Sequence, residues 1–187
     1  MFFSSFKIFS DLFTNRLILR EPRLSDTVDI YELCSTDNAT RYVDWRPHQS
    51  KKESAAFIRY LKRQIALGEK NSYTWFVEEI ASGKVIATVS LVESDSSGKI
   101  ATVGYSLNVR FQHKGYATEA VKRVIKYLFN EKGFERIEAK VLPDNIPSVN
   151  LLNRVGMKKE TYLRKGVSVK GKLEDVLIFS ILRDEYL

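Results

Sequence analysis

The segment QHKGYA, residues 112–117, joins a predicted strand to a predicted helix. The residues before it alternate with a period of two, and those after it place Val121, Val124 and Leu128 at helical spacing. A helix that begins directly after such a turn directs unpaired N–H groups and the positive end of its dipole at one place. Gly115 lets a ligand approach the main chain because glycine has no Cβ. The segment therefore predicts an anion site that suits a phosphate group.

The residues on both sides of this segment predict a mixed sheet. Upstream, residues 73–107 alternate apolar and polar side chains in three runs separated by turns, which predicts an antiparallel meander of three strands. Downstream, residues 137–141 look like a buried strand, and the order strand, helix, strand implies a parallel pair with a right-handed crossover. Pro147 fits the first turn of a short helix, and residues 157–163 and 173–182 predict two last strands.

The N-terminal part of the chain predicts one strand followed by two helices. Residues 17–19 form a short strand, and Ser25 occupies the position of a helix N-cap. Ser50 and Glu53 have the spacing of a capping box, which opens an amphipathic helix that stops at Gly68. The resulting fold class is α+β, with one mixed, mostly antiparallel sheet of about seven strands and about four helices.

Length and composition indicate a single domain over residues 1–187. The chain is 44% hydrophobic, which is enough to bury a core and unlike the composition of a disordered protein. We expect residues 1–13, which are rich in phenylalanine, to form an arm packed on the domain or on a neighbouring subunit. The protein is expected to be a monomer or a homodimer.

The scarcity of cysteine and histidine limits the chemistry. Cys34 is the only cysteine, and the two histidines, His48 and His113, are far apart, so we expect neither a disulfide framework nor a metal site. No apolar stretch is long enough to cross a bilayer, and the first residues lack the features of a signal peptide. We therefore expect a cytoplasmic protein without membrane contact.

The formal net charge of +7 favours acidic partners. The basic residues occur as scattered pairs such as Lys51-Lys52 and Lys62-Arg63, with acidic residues between them and no run of five. A solvated mixed surface is therefore expected, and direct contact with nucleic acid is not. A phosphate-bearing cofactor or an acidic protein substrate also fits this charge.

Two segments together resemble the acetyl-CoA signature of the GNAT N-acetyltransferase superfamily. These are QHKGYATEA at residues 112–120 and NIPSVNLLNRVGM at residues 145–157. The segments 14–26, 42–58, 103–108 and 173–186 are similar to the branch that acetylates the N-terminal alanine or serine of ribosomal proteins. The resemblance covers the chain from Thr14 to its C-terminus and implies a GNAT-like fold.

The resemblance implies a binding site for acetyl-CoA. In this family the pyrophosphate binds main-chain N–H groups of the turn. The pantetheine arm pairs with the preceding strand, here expected to include Leu107, Asn108 and Val109, and the parallel neighbour of that strand splays away. A backbone N–H near the end of that strand stabilises the oxyanion. The implied cofactor-binding residues are Leu107, Asn108, Val109, Gln112, His113, Lys114, Gly115, Tyr116, Ala117 and Asn145.

Three positions depart from the family pattern or remain open. Where many members have a tyrosine that protonates the leaving thiolate, this chain has Leu152, and Ser148 matches the serine that takes this role in the ribosomal branch. Ser148 is therefore the candidate catalytic residue, although it could be an ordinary hydroxyl at a helix start. Thr102 occupies the position at which many members of this family have an acidic general base. Glu93 and Glu138 lie on neighbouring strands, but the sequence does not assign the role of general base to either of them.

The acceptor is the least defined part of the function. Trp45 and Arg46 lie in a loop that borders the acceptor cleft in this fold, so they are candidates for substrate contact, although Trp45 could simply pack on its own helices. The leading hypothesis is acetyl transfer to the N-terminal amine of a protein, such as an acidic ribosomal protein. The alternatives are a small amine (a polyamine, an antibiotic or an amino acid) and a coenzyme A-binding domain without turnover.

Overall fold

The computed structural model describes residues 9–69, 71–95 and 97–186, which form one eight-stranded sheet flanked by helices. The strands are β1 (Leu12–Phe13), β2 (Leu17–Arg20), β3 (Tyr73–Glu79), β4 (Lys84–Ser94), β5 (Ile100–Leu107), β6 (Arg136–Val141), β7 (Lys158–Val169) and β8 (Lys172–Leu182). Their order is β1-β2-β3-β4-β5-β6-β8-β7, and β5 and β6 form the parallel pair. The seven predicted strands are confirmed, and the two-residue β1 is added at one edge.

Six α-helices lie in the described part of the chain. They are α1 (Thr27–Cys34), α2 (Asp37–Thr40), α3 (Lys51–Ala66), α4 (Tyr116–Asn130), α5 (Ile146–Arg154) and α6 (Arg183–Tyr186). The four predicted helices are α1, α3, α4 and α5, whereas α2 and α6 have only four residues each. Within the described ranges, none of these helices has the length and apolar character needed to span a membrane.

The sheet separates two hydrophobic clusters. Trp75 and Val77 of β3 point into the larger cluster, which includes the buried faces of α4 and α5. Phe76, on the opposite face of the same strand, packs with Ile30 of α1 and Ile58 of α3 in the smaller cluster. This alternation places α4 and α5 on one side of the sheet and α1 and α3 on the other.

The start of α1 is anchored by a buried ion-pair network. Arg20 donates two hydrogen bonds to Asp26, at 2.8 and 2.9 Å, and a third to Glu78 at 2.6 Å. Asp26 precedes the first residue of α1, so the helix begins at Thr27 and the expectation that Ser25 caps it is wrong. Removing one partner would leave the others buried without compensation, which typically costs about 3–5 kcal/mol.

The described end of the N-terminal arm packs on the core. Phe9 is buried, and its ring stacks on Tyr73 with 4.4 Å between centroids and meets Trp75 edge-on at 5.3 Å. Phe2, Phe3 and Phe6, the other phenylalanines near the start of this arm, lie outside the described residues.

The parallel pair separates after three residue pairs. Ile100, Ala101 and Thr102 of β5 pair with successive residues of β6, and the register stops there although both strands continue. On its other side, β5 remains paired with β4 as far as Leu107. A gap therefore opens between the second half of β5 and the end of β6.

Candidate active site

The gap exposes one edge of β5. In an antiparallel pair, alternate residues direct their main-chain groups toward and away from the partner strand. The Asn108 N–H donates to the Ile86 carbonyl of β4 at 2.8 Å, so the alternation turns the N–H groups of Tyr105 and Leu107 toward the gap. These two residues therefore offer main-chain hydrogen bonds to a molecule that enters between β5 and β6.

The N-terminus of α4 lies at the end of the turn that follows β5. Gly115 occupies the N-cap position in the left-handed conformation, with φ of 80°, and no side chain of the described residues caps the helix. The first N–H that is bonded within the helix is that of Glu119, which donates to the Gly115 carbonyl at 3.0 Å. The N–H groups of the three preceding residues are free of helix partners, as an anion site requires.

Arg16 holds this turn from outside. Its Nη1 donates to the Lys114 carbonyl at 3.0 Å, and its Nε donates to Glu119 at 2.7 Å. Thr14 donates a further hydrogen bond to Glu119 at 2.6 Å, and the Arg16 guanidinium lies 4.4 Å from the centre of the Tyr116 ring. Although burial opposes it, hydrogen bonds from Thr14 and Arg16 lower the pKa of Glu119 below its ordinary value. These contacts fix the conformation of the turn, and Arg16 holds the Lys114 carbonyl away from the anion site.

The predicted cofactor residues of the turn come together, and the side chains of Lys114 and Tyr116 contact other residues. The Tyr116 hydroxyl donates to Glu79, and the Lys114 ammonium lies 5.4 Å from the centre of the Phe111 ring. Gln112 and His113 are exposed, and His113 has a positive φ of 62°. The turn therefore offers mainly main-chain groups to a ligand.

Asn108 and Val109 differ from the sequence expectation. The strand β5 ends at Leu107, and Asn108 begins a short 3-10 turn over Val109–Phe111 in which its side chain accepts from the Arg110 N–H. The prediction that all three residues continue one strand is therefore wrong for Asn108 and Val109. Because the Asn108 N–H is already bonded to β4, it is not free to stabilise an oxyanion.

The start of α5 faces the same gap. Asn145 caps the helix by accepting a hydrogen bond from the Ser148 N–H at 3.3 Å. The Tyr105 hydroxyl donates to the Ser148 carbonyl at 3.3 Å, and burial raises the pKa of Tyr105 to about 12. The Ser148 hydroxyl itself makes no hydrogen bond with the described residues, while Leu152 is buried in the core. The structure thus brings Ser148 and Asn145 to the gap and adds Tyr105.

Comparison with known proteins places this geometry in a family. Residues 16–158 match the family model of the acetyltransferase (GNAT) domain. The chain belongs to the GNAT acetyltransferase family. The relatives are named N-acetyltransferases, so the fold and the enzyme class expected from the sequence, a GNAT N-acetyltransferase, are confirmed.

Three similar proteins illustrate the range of this GNAT family. The uncharacterized N-acetyltransferase p20 of Bacillus licheniformis is 35% identical over 175 residues, which cover 94% of this chain and 97% of the relative. The ribosomal protein uS5-alanine N-acetyltransferase of Escherichia coli is 30% identical over 84 residues, 45% of this chain and 43% of the relative. The solved microcin C7 self-immunity acetyltransferase MccE, in complex with acetyl-CoA and AMP, has a TM-score of 0.81 at 24% identity, covering 90% and 93% of the two chains.

The general-base position of this GNAT chain holds no free carboxylate. Thr102 donates to Glu93 at 3.4 Å, but Lys140 also donates to Glu93 at 3.0 Å and is the main reason why the pKa of Glu93 is lowered. Glu138, on β6, accepts from Arg136 at 2.6 Å. Both carboxylates near Thr102 are therefore paired with cations.

The loop between α2 and α3 has a packed side and an exposed side. Trp45 is half-buried and packs on the smaller hydrophobic cluster, 5.8 Å from the His48 ring, whereas Arg46 is exposed. Lys170, in the turn between β7 and β8, donates from its main chain to Asp44 and from its ammonium to the Thr40 carbonyl at 2.7 Å. The loop is thus fixed to the β7–β8 hairpin, and Arg46 is the more available of the two predicted contact residues.

Two other side chains bear on the expected chemistry. Cys34 is buried in α1, and burial raises the pKa of its thiol to about 12, so packing rather than nucleophilic chemistry describes it. Among the described residues, no three His, Cys, Asp or Glu side chains are grouped to hold a metal ion.

Proposed function

We propose that this GNAT enzyme transfers the acetyl group of acetyl-CoA to the N-terminal α-amine of a protein. The reaction joins the amine nitrogen to the acetyl carbon and breaks the carbon–sulfur bond. The amine gives up a proton, and the leaving sulfur takes one.

The cofactor part of the proposal is supported by the gap between β5 and β6. A pantetheine arm could pair with the exposed edge at Tyr105 and Leu107 as an added strand. The free N–H groups at the start of α4 suit the pyrophosphate. The N–H of Leu107 or Tyr105 is the proposed oxyanion donor, because both face the gap.

Ser148 is proposed to protonate the leaving sulfur. Its hydroxyl is not engaged by the described residues and lies at the start of α5, beside the gap. Tyr105 is proposed to position Ser148, because it donates to the Ser148 carbonyl across the opening.

The acceptor part of the proposal is supported by the pairing of Glu93 and Glu138 with cations, which leaves no free carboxylate near Thr102 among the described residues. Without a strong base, the enzyme depends on an amine that is already neutral. At pH 7.5 about one third of an α-amine with a pKa near 7.8 is neutral, against about 0.1% of a lysine with a pKa near 10.4. The cleft therefore favours a chain terminus over a lysine side chain.

The test is acetylation of paired peptides, followed by free thiol and by mass spectrometry. One peptide has a free N-terminal alanine, acidic residues and an internal lysine, and its control has the same sequence with a blocked N-terminus. We expect thiol release with the first peptide, acetylated on its α-amine, and almost none with the control. Modification confined to lysine, or much faster turnover with spermidine, would replace this proposal with a lysine or small-amine acceptor.

A further inference from the structure

The outer face of α3 carries an unusual concentration of positive charge. The helix has five basic residues and one acidic residue, so its formal charge is +4, against +7 for the whole chain. All five basic side chains are exposed, and none forms an ion pair with a described residue. We call this set the α3 stripe; its members are Lys51, Lys52, Arg59, Lys62 and Arg63.

The helical geometry gathers residues that are scattered in the sequence. At 3.6 residues per turn, the five side chains project within an arc of about 120°, which extends about 18 Å along the axis. The only other residues in that arc are Ala55 and Ala66, which are too small to keep a partner away. Glu53 projects outside the arc, and its carboxylate accepts from the Gln49 N–H. The arc therefore faces outward with two cationic groups, Lys51-Lys52 at the start of the helix and Arg59, Lys62 and Arg63 in its second half.

This arrangement does not serve the stability of α3. Lys51 and Lys52 lie in the first turn, where the helix dipole disfavours cations. Arg59 has a like charge three residues later at Lys62 and four residues later at Arg63, and such pairs repel. A helix that is merely solvated would intersperse acidic residues at these spacings, so the charge of the stripe points to a partner.

We propose that the α3 stripe binds the phosphate backbone of a nucleic-acid duplex, for which double-stranded RNA serves as the probe. A protein partner would need an apolar or aromatic anchor at the centre of the contact, and the centre of this stripe holds only alanines. A membrane would need an exposed apolar face, but Phe57, Ile58 and Leu61 of α3 are turned to the smaller hydrophobic cluster. Tyr60 is the one large aromatic side chain of α3 that is exposed, and it projects outside the arc of the stripe. Cations without an apolar anchor match a regular row of phosphates. The sequence alone favours no contact with nucleic acid because it cannot show that these residues share one face.

The experiment measures the fluorescence anisotropy of a labelled RNA duplex of about 20 base pairs at about 50 and 200 mM KCl. One variant replaces all five stripe residues with Gln. The matched control replaces five exposed basic residues elsewhere, Lys122, Lys126, Lys159, Lys172 and Arg183, so that both variants lose the same charge. Melting temperatures verify folding, and the stripe variant is expected to melt no lower than the wild type because its helix loses the unfavourable charges.

We expect the wild type to bind with a log–log salt slope of about −4.5, as about five neutralised phosphates predict. The stripe variant should lose about tenfold or more in affinity at the lower salt, and the control no more than about twofold. Acetylation of the peptide should be equal in all three proteins, which separates this inference from the proposed function. Absence of RNA binding by the wild type, equal losses in both variants, or equally strong binding of polyglutamate would overturn the proposal.

Discussion

Arg16 donates a hydrogen bond to the carbonyl of Lys114, which lies 98 residues further along the chain, at 3.0 Å. The same guanidinium is bonded to Glu119 in the first turn of α4. The Arg16 side chain therefore joins the edge of the sheet to the turn that forms the anion site.

Replacing Arg16 with Lys should raise the KM for acetyl-CoA by about tenfold and leave kcat nearly unchanged. The guanidinium of Arg16 donates to the Lys114 carbonyl and to Glu119 at once, whereas the single ammonium of a lysine lacks this forked geometry. Each hydrogen bond to a charged group contributes about 1.5–3 kcal/mol. Initial rates over a range of acetyl-CoA concentrations test this, with Arg23→Lys as the control on an exposed arginine nearby. An unchanged KM would mean that the turn keeps its shape without Arg16.

Gly115→Asp should abolish measurable coenzyme A binding. It places a negative charge at the N-terminus of α4, and it adds a side chain to a left-handed position that favours glycine. The matched control is Gly83→Asp, which has a φ of 66° and open space around it but lies in the turn between β3 and β4. Both variants should lose similar stability in thermal melts, and only Gly115→Asp should fail in calorimetric titration with coenzyme A. If Gly115→Asp binds like the control, the phosphate site lies elsewhere.

Ser148→Ala should lower kcat by about 10²–10⁴, the usual effect of a lost general acid, with little change in cofactor affinity. The neighbouring Asn150→Ala, which changes an exposed polar residue on the same helix, is the control. Single-turnover rates and coenzyme A affinity measured on both variants distinguish catalysis from folding. A Ser148→Ala enzyme with wild-type turnover would return this hydroxyl to an ordinary place at a helix start.

Tyr105→Phe should reduce kcat mainly through Ser148. The change removes the 3.3 Å hydrogen bond to the Ser148 carbonyl and keeps the ring that packs on the larger cluster. If Tyr105 acts by positioning Ser148, its effect should largely disappear when Ser148 is already Ala, as a double-mutant cycle measures. Strictly additive effects would show that Tyr105 acts independently.

The pH dependence of the reaction should follow the acceptor rather than the enzyme. The pKa of Glu93 is lowered, chiefly by its hydrogen bond from Lys140, so this carboxylate is already ionised well below neutral pH. The rate at low acceptor concentration should then rise with pH and level off near the pKa of the α-amine, about 7.7–8.0. Two peptides whose N-terminal pKa values differ by one unit should show plateaus displaced by the same amount. Plateaus at one fixed pH for both peptides would instead reveal an enzyme base.

The local features of this site were predictable from sequence, and the long-range ones were not. The turn at residues 112–117 can be recognised in the sequence because its glycine and the following helix are adjacent in the chain. The contacts Arg16–Lys114 and Tyr105–Ser148 join segments 98 and 43 residues apart, which no local pattern reveals. The sequence does not predict that β5 ends before Asn108, because neither glycine nor proline marks this end and the alternation of apolar and polar side chains continues into the 3-10 turn.

Because β5 and β6 separate after three residue pairs, the second half of β5 lacks a hydrogen-bonded neighbour on one side in the free protein. The main-chain N–H and C=O groups of β5 that lack a partner strand must form hydrogen bonds with water until a ligand takes the place of that strand. Occupancy and local order in this region are therefore coupled, since any molecule that pairs with this edge also protects its amides from exchange. A ligand that pairs with β5 would therefore order this strand, and that order would be lost when the ligand leaves.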